Sequence, residues 1–264
     1  MADVITQAAE ALRSAQSTGN FIRPLRETFK ELDADDAYAI QKHNIDLQVS
    51  QGARIVGSKI GLTSLAVQRQ IGVDQPDYGV LLDNMECPEG VPIAMSRLQQ
   101  PKIEAEIAFI LGKDLDSPRT TVIDVIRGID YVVPALEIVG SRIEGWDIRL
   151  VDTIADNASS SGYVLGTPVR KLDGLDLRNC AMTISSGSSE GRVLSSGAGM
   201  ACLGNPLNAV VWLSRVMNER GFPLKAGSVV LSGALGPMVA VEPGETYKAH
   251  IDGLGDVTAA FATD

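Results

Sequence analysis

Apolar residues recur at helical spacing near the start of the chain. They alternate with polar side chains over 4–15, which predicts an amphipathic helix there. A second helix is predicted to begin after Asp33, whose carboxylate can cap the first turn, and to end before Gly52. Residues 1–52 are therefore expected to form a mainly helical N-terminal layer.

Beyond Gly52 the pattern changes to short β-prone runs separated by Gly, Pro, Asp and Ser. The runs lie at 54–62, 103–111, 131–139, 180–185, 228–231 and 247–251. Residues 186–189 read as a hairpin turn between two such runs. Short helices are predicted after Ser64 and over 121–128.

A further helix is predicted over 206–220, where Asn205 can cap the start and Gly221 can end the last turn. Helices followed by a strand-rich remainder predict an α+β fold. We expect 1–264 to be a single catalytic unit, with 53–264 as a strand-rich core that binds metal.

Charge and cysteine content limit the possible partners and the cellular compartment. The chain carries 33 acidic and 23 basic residues, a formal net charge of −10, which argues against a nucleic-acid partner. Its three cysteines are few and widely spaced, as is typical of a reducing compartment. We find neither a signal-peptide pattern nor a long uncharged run, so a cytoplasmic protein without membrane contact is expected.

Two glutamates in one β-prone run are the first candidates for chemistry. Glu104 and Glu106 lie two positions apart and so share one face of a strand, while apolar residues fill the other face. If that strand is central, the two carboxylates need a compensating charge, which a divalent cation such as Mg²⁺ or Mn²⁺ provides. Glu137, the single charge within 132–139, is the candidate third ligand. Spacing alone equally allows Glu104 and Glu106 to face solvent on an edge strand.

Lys59 is the candidate cation of the site. Gly57 and Gly61 lie on its face of the predicted strand and leave space above it for a substrate carboxylate or enolate. The alternative is an exposed lysine beside a turn. Other chemistries lack their residues. No G-x-S-x-G elbow joins a predicted strand to a helix, because the match at 187–191 falls in the predicted hairpin turn, and His43 and His250 are the only histidines.

Several segments, in order along nearly the whole chain, resemble those of the 2-hydroxypenta-2,4-dienoate hydratases of the fumarylacetoacetate hydrolase-like superfamily. They are 59–64, 72–79, 103–107, 134–137, 151–160 and 232–238. The resemblance implies a mixed β-roll core with an N-terminal helical region, assembled as a homo-oligomer, a pentamer or decamer. It also implies contact with a downstream aldolase.

The resemblance assigns roles to particular residues. It places a divalent cation, Mg²⁺ or Mn²⁺, on Glu104, Glu106 and Glu137, makes Lys59 and Asp77 catalytic, and puts the substrate beside Ser159 and Ser160.

The activity implied is the addition of water to a 2-hydroxyalka-2,4-dienoate, giving a 4-hydroxy-2-oxoalkanoate in the meta-cleavage breakdown of aromatic compounds or steroids. A 4-oxalocrotonate-type decarboxylase of the same superfamily is the nearest alternative, and the flanks at 140–143 and 232–239 favour the hydratase. From another class, the chain could serve as a non-catalytic assembly partner of a pathway enzyme. Buried carboxylates argue against that alternative, because a scaffold does not need them.

Overall fold

Helices occupy most of the first fifty residues, and strands dominate the remainder of the chain. The computed structural model describes residues 2–65, 68–69, 73–187 and 191–264. Within these ranges the α-helices are Ala2–Thr18 (α1), Leu25–Thr28 (α2), Ala34–Ser50 (α3), Val122–Gly128 (α4), Leu150–Ala155 (α5) and Pro206–Glu219 (α6). The strands are Ile55–Gly61 (β1), Asp77–Leu82 (β2), Lys102–Leu111 (β3), Ile129–Val139 (β4), Ser160–Leu165 (β5), Ala181–Ser186 (β6), Val193–Ala198 (β7), Val229–Leu231 (β8), Val239–Ala240 (β9), Thr246–Ile251 (β10) and Gly255–Ala260 (β11).

Capping residues set the ends of the long helices as predicted. The Asp33 carboxylate accepts a hydrogen bond from the Asp36 amide at 2.9 Å, and the Asp36 carboxylate accepts one from the Asp33 amide. At the start of α6 the Asn205 side chain accepts from the Leu207 amide at 3.0 Å. The helix ends just before Gly221, whose φ is +81°.

The N-terminal helices pack on one another through small apolar side chains. Ala8 and Ala9 of α1, Ile40 of α3 and Ile154 of α5 belong to one buried cluster. The Gln41 side chain then joins this layer to the sheet, because its amide donates to the backbone carbonyls of Tyr78 and Ile154.

The described strands form two sheets. The larger, seven-stranded sheet has the order β2-β1-β8-β3-β4-β5, with β9 paired to β3. Within it β1 and β8 are parallel, and the other neighbours are antiparallel. The smaller sheet has the order β11-β10-β6-β7. One buried apolar cluster contains Ile103 and Phe109 of the larger sheet together with Ile184 and Tyr247 of the smaller one, so the main core lies between the sheets.

The predicted α+β fold is confirmed, and each predicted β-prone run corresponds to a strand. β2, β5, β7, β9, β11 and the helices α2 and α5 were not predicted. Parts of two further predictions lie outside the described residues: the helix after Ser64, at 66–67 and 70–72, and the hairpin turn, at 188–189. Among the helices described, none combines the length and apolar character needed to cross a membrane.

Candidate active site

The pairing of β3 with β4 brings three glutamates together. In this antiparallel register Glu104 lies directly opposite Glu137, and Glu106 is opposite Ala135, so the three side chains share one face. Their nearest carboxylate oxygens all lie within 4.8 Å of one another. Because β3 is flanked by β8 and β4 and Glu106 is fully buried, the interpretation of a solvent-facing edge strand is wrong, although Glu104 is half-buried. We call Glu104, Glu106 and Glu137 the carboxylate cluster.

Burial makes the cluster electrostatically unfavourable on its own. Glu106 and Glu137 are fully buried, and Oε1 of each accepts no hydrogen bond within the described structure. Like charges on directly opposed strand residues repel, and removing them from water adds a further cost. Glu106 is partly compensated, because its Oε2 accepts a hydrogen bond from the Gly233 amide at 2.8 Å.

The pKa values of Glu104 and Glu106 reflect this environment. Burial, and then the charges of Glu137 and Asp77, raise the pKa of Glu104 to about 7 despite the nearby Lys59. Burial and the charges of Glu137 and Glu104 raise the pKa of Glu106 well above its usual range. Carboxylates that lack hydrogen-bond donors and repel one another are a donor set suited to a hard divalent cation. The residues present therefore fit such an ion.

Lys59 projects from β1 on the same side as the cluster. Its Nζ donates to the Ala158 carbonyl at 2.9 Å and lies 3.2 Å from Glu137 Oε2 in an ion pair. The side chain is buried, so the exposed-lysine interpretation is wrong. Burial alone would lower the pKa of Lys59, but the charges of Glu137, Asp77 and the other acids outweigh it and raise the pKa. The ammonium group therefore stays protonated.

Asp77 begins β2, opposite Gly61 of β1. Its Oδ2 accepts from the Thr153 hydroxyl at 3.2 Å, whereas Oδ1 is buried without a described partner. A Cβ atom at Gly61 would lie 2.1 Å from Oδ1 and 3.4 Å from Lys59 Nζ, so a larger residue here would displace the Asp77 carboxylate. Burial is the largest influence on the pKa of Asp77 and raises it, although Lys59 and Thr153 act in the opposite direction.

The two serines predicted beside the substrate lie in different places. The Ser159 hydroxyl is 3.3 Å from the Thr153 hydroxyl and so joins the Asp77 network. Ser160 instead lines a cavity of about 320 Å³ with Arg142 and Asp156, at the N-terminal helical layer. The structure thus brings Ser159 to the candidate site through Thr153, a residue that sequence reasoning missed.

A strained turn at 157–159 also escaped prediction. Asn157, Ala158 and Ser159 have φ values of 55°, 49° and 59°, in the left-handed region. For residues other than glycine this conformation costs roughly 1 kcal/mol or more each. No sequence pattern marks such a turn apart from the asparagine, which tolerates the left-handed region better than most residues.

The chain matches the family "Fumarylacetoacetate (FAA) hydrolase C-terminal" over residues 65–262. It belongs to this family. The family predicted from the sequence is therefore confirmed.

Relatives within the family include enzymes named as hydratases. The chain is 54% identical over 258 residues to the "2-keto-4-pentenoate hydratase" of Paraburkholderia xenovorans (strain LB400), covering 98% of this chain and 95% of the relative. It is 41% identical over 254 residues to the "2-hydroxyhexa-2,4-dienoate hydratase" of Comamonas testosteroni, with 96% and 94% covered. These names agree with the predicted hydratase.

A solved structure shares the complete fold. The 4-oxalocrotonate decarboxylase from Pseudomonas putida G7, complexed with magnesium and adipate, superposes with a TM-score of 0.94 at 35% identity. The match covers 99% of this chain and 98% of the decarboxylase. That decarboxylase has also been solved with calcium and acetate. Together with the carboxylate cluster, these complexes support a divalent cation as cofactor and a small molecule as substrate.

Proposed function

We propose that this chain is a metal-dependent hydratase that adds water to a 2-hydroxyalka-2,4-dienoate and forms a 4-hydroxy-2-oxoalkanoate. The observation that carries the proposal is the carboxylate cluster, which has two fully buried members and oxygens within 4.8 Å of one another, beside Lys59 and Asp77. The 54% identity to a named 2-keto-4-pentenoate hydratase supports the same reaction. The 35% identity to a decarboxylase supports the alternative less well.

Glu104, Glu106 and Glu137 are the proposed metal ligands, for Mg²⁺ or Mn²⁺. When bound, such an ion supplies Lewis-acid stabilisation of negative charge on the substrate's carboxylate and adjacent C2 oxygen. The cluster itself contributes a rigid donor set, because two ligands lie on β3 and the third lies on β4 directly across from them.

Lys59 is proposed to balance the charge of the anionic substrate. Its ammonium group is protonated and buried, and the Ala158 carbonyl and the Glu137 carboxylate hold it in place. A fixed cation in an enclosed site stabilises developing negative charge more strongly than one in water.

Asp77 is proposed to move protons during the addition of water. Its Oδ1 has no described hydrogen-bond partner and is buried, while Oδ2 is held by Thr153. Burial raises the pKa of this carboxyl, which makes it a better proton acceptor than an ordinary aspartate. We assign to it the proton of the water that adds at C4. Ser159, whose hydroxyl lies 3.3 Å from that of Thr153, is proposed to contact the substrate. Ser160 lines the separate cavity with Arg142 and Asp156, so its proposed part in substrate binding is less direct.

The test is to incubate the purified protein separately with 2-hydroxypenta-2,4-dienoate, 2-hydroxyhexa-2,4-dienoate and a six-carbon 2-oxo-3-enedioate, and to follow the loss of substrate absorbance. Mg²⁺, Mn²⁺ and EDTA are compared, and products are identified by mass spectrometry. We expect metal-dependent gain of one water. Full activity in EDTA would contradict the metal role. Loss of CO₂ from a 2-oxo-3-enedioate without hydration would establish the decarboxylase, and inactivity on all substrates would favour the assembly partner.

Other predictions concern the assembly, the partners and the location of the protein. Assembly as a pentamer or decamer, contact with a downstream aldolase and a cytoplasmic location stay predictions.

A further inference from the structure

The Asn157 side chain pairs with the edge strand β2 as another strand would. Its Oδ1 accepts a hydrogen bond from the Val80 amide at 2.8 Å, and its Nδ2 donates to the Val80 carbonyl at 2.9 Å. Only a side-chain amide can accept and donate from adjacent atoms in this manner, because a carboxylate has no donor and a hydroxyl has a single oxygen. Asn157 therefore satisfies both backbone groups of one residue on β2.

The backbone of Asn157 is held as closely as its side chain. A Cβ atom at Gly79 would lie 2.4 Å from the Asn157 carbonyl oxygen, so the turn lies directly against β2. On the preceding side, the Asp156 carboxylate accepts hydrogen bonds from the amide and Nε of Arg142 at 3.0 and 2.5 Å. The left-handed 157–159 turn is thus fixed by Asp156 at its start and by the contact of Asn157 with β2.

The next two residues of the turn reach both candidate catalytic groups. The Ala158 carbonyl accepts from Lys59 Nζ at 2.9 Å. The Ser159 hydroxyl lies 3.3 Å from that of Thr153, which donates to Asp77 Oδ2 at 3.2 Å. The carboxylate cluster, by contrast, lies on β3 and β4 and accepts a hydrogen bond from Gly233. A shift of the turn would therefore disturb Lys59 and Asp77 directly, and would reach the cluster only through the ion pair between Lys59 and Glu137.

We propose that Asn157 is a positioning residue: through its paired hydrogen bonds to Val80 it holds the 157–159 turn in the left-handed conformation that orients Lys59 and Asp77. The inference rests on the proposed function only in treating Lys59 and Asp77 as catalytic.

Asn157→Asp is the principal test, because aspartate has the same shape and also tolerates the left-handed region but cannot donate to the Val80 carbonyl. Asn218→Asp is the matched control. Asn218 also donates from Nδ2 to backbone carbonyls, but it lies in α6 and its two partners, Leu115 and Ser214, are not residues of the site.

We expect Asn157→Asp to lower kcat by about tenfold or more, because small displacements of catalytic groups are costly. Its calorimetric affinity for Mg²⁺ should not fall below that of the wild type, whereas its affinity for oxalate in the presence of Mg²⁺ should fall. Asn218→Asp should lower Tm without changing kcat, KM or either affinity. A wild-type kcat in Asn157→Asp would overturn the proposal. So would a loss of Mg²⁺ affinity in parallel with Tm, which indicates general destabilisation.

Hydrogen exchange tests the contact without reference to activity. Asn157→Ala removes both bonds, so the Val80 amide should exchange faster than in the wild type and in Asn218→Asp. Unchanged exchange at Val80 would contradict the positioning role alone. A wild-type chain that exchanges slowly at Val80 but hydrates no dienoate would contradict the proposed function alone.

Discussion

The charged residues of the candidate site on the larger sheet and those of the smaller sheet lie in opposite environments. On the larger sheet Lys59, Asp77, Glu106 and Glu137 are at most 3% exposed. On the smaller sheet Lys248 and Asp256 form an ion pair with side chains 49% and 44% exposed, while alternate residues of β10 are buried. The smaller sheet therefore follows the ordinary pattern of one apolar and one solvated face.

This difference in burial shows which charged residues destabilise the fold. Ion pairs on the smaller sheet remain hydrated, so they cost and contribute little. The larger sheet places carboxylates where burial and mutual repulsion disfavour them, on strands whose other face is already packed in the core. Such an arrangement is expected at a functional site, because selection for activity can maintain local strain. Substitutions of charged residues on each sheet can test this contrast.

The largest effect is expected from Glu106→Gln. Loss of one anionic ligand should weaken Mg²⁺ binding and lower kcat by about 1000-fold or more, since electrostatic stabilisation is a major part of catalysis. In the metal-free protein the same change should raise Tm, because it removes a repelling buried charge while the side-chain oxygen can still accept from Gly233. Calorimetry, steady-state kinetics and thermal unfolding in EDTA measure the three quantities. A lower Tm in EDTA would show that the carboxylate is stabilising.

A smaller loss of activity is expected from Lys59→Met. The substitution keeps the apolar stem but removes the buried cation, so kcat should fall by about 100-fold. Affinity for Mg²⁺ should stay the same or increase, because the ammonium group repels a cation bound at the neighbouring Glu137. Lys248→Met, on the smaller sheet, is the control and should change neither quantity. Weaker Mg²⁺ binding in Lys59→Met would mean that Lys59 mainly keeps the cluster in shape.

The pH dependence of stability follows from Glu104. Its pKa rises from 4.5 to about 7 in the folded, metal-free protein, so between these values the folded state binds more protons than the unfolded state. Glu104 should therefore lower the free energy of unfolding by about 1–3 kcal/mol as pH rises from about 5 to 7, and the raised pKa values of Glu106 and Asp77 add to the fall. Urea unfolding in EDTA measures this, with Glu104→Gln as the variant that reduces the slope between these pH values.

Added Mg²⁺ should reverse that trend, because the ion competes with protons for the same oxygens. A metal-free stability that rises over the same pH range would contradict the unfavourable burial of Glu104.

The smallest effect is expected from Asp256→Asn on the smaller sheet. Hydrogen bonds from Lys248 and His250 lower the pKa of Asp256, but all three side chains are largely hydrated. The free energy of unfolding should fall by less than about 1 kcal/mol, and kcat should not change. A large loss of stability in urea would show that charges on the two sheets differ less than we infer.

The features that depend on local sequence pattern could be predicted from the sequence. Asp33 and Asn205 cap helices because capping needs only neighbouring residues, and β3 and β4 are long apolar runs. The paired Glu104 and Glu106 could be found because alternation on a strand puts them on one face.

Features that depend on contacts between distant segments were not predictable in the same way. The register that sets Glu104 opposite Glu137 is determined by the whole sheet. The left-handed turn around Ala158 exists because Val80 and Lys59 hold it from other strands. β2 was missed because Asp77 and Gly79 are unfavourable strand residues, kept here for the site and for close packing.

The most direct test of the central claim is a crystal structure of the protein grown with Mn²⁺, with anomalous diffraction used to locate the ion. We predict a single strong anomalous peak bonded to carboxylate oxygens of Glu104, Glu106 and Glu137, with added oxalate completing the coordination. Mn²⁺ bound elsewhere, with these three carboxylates free of metal at saturating concentration, would contradict the account.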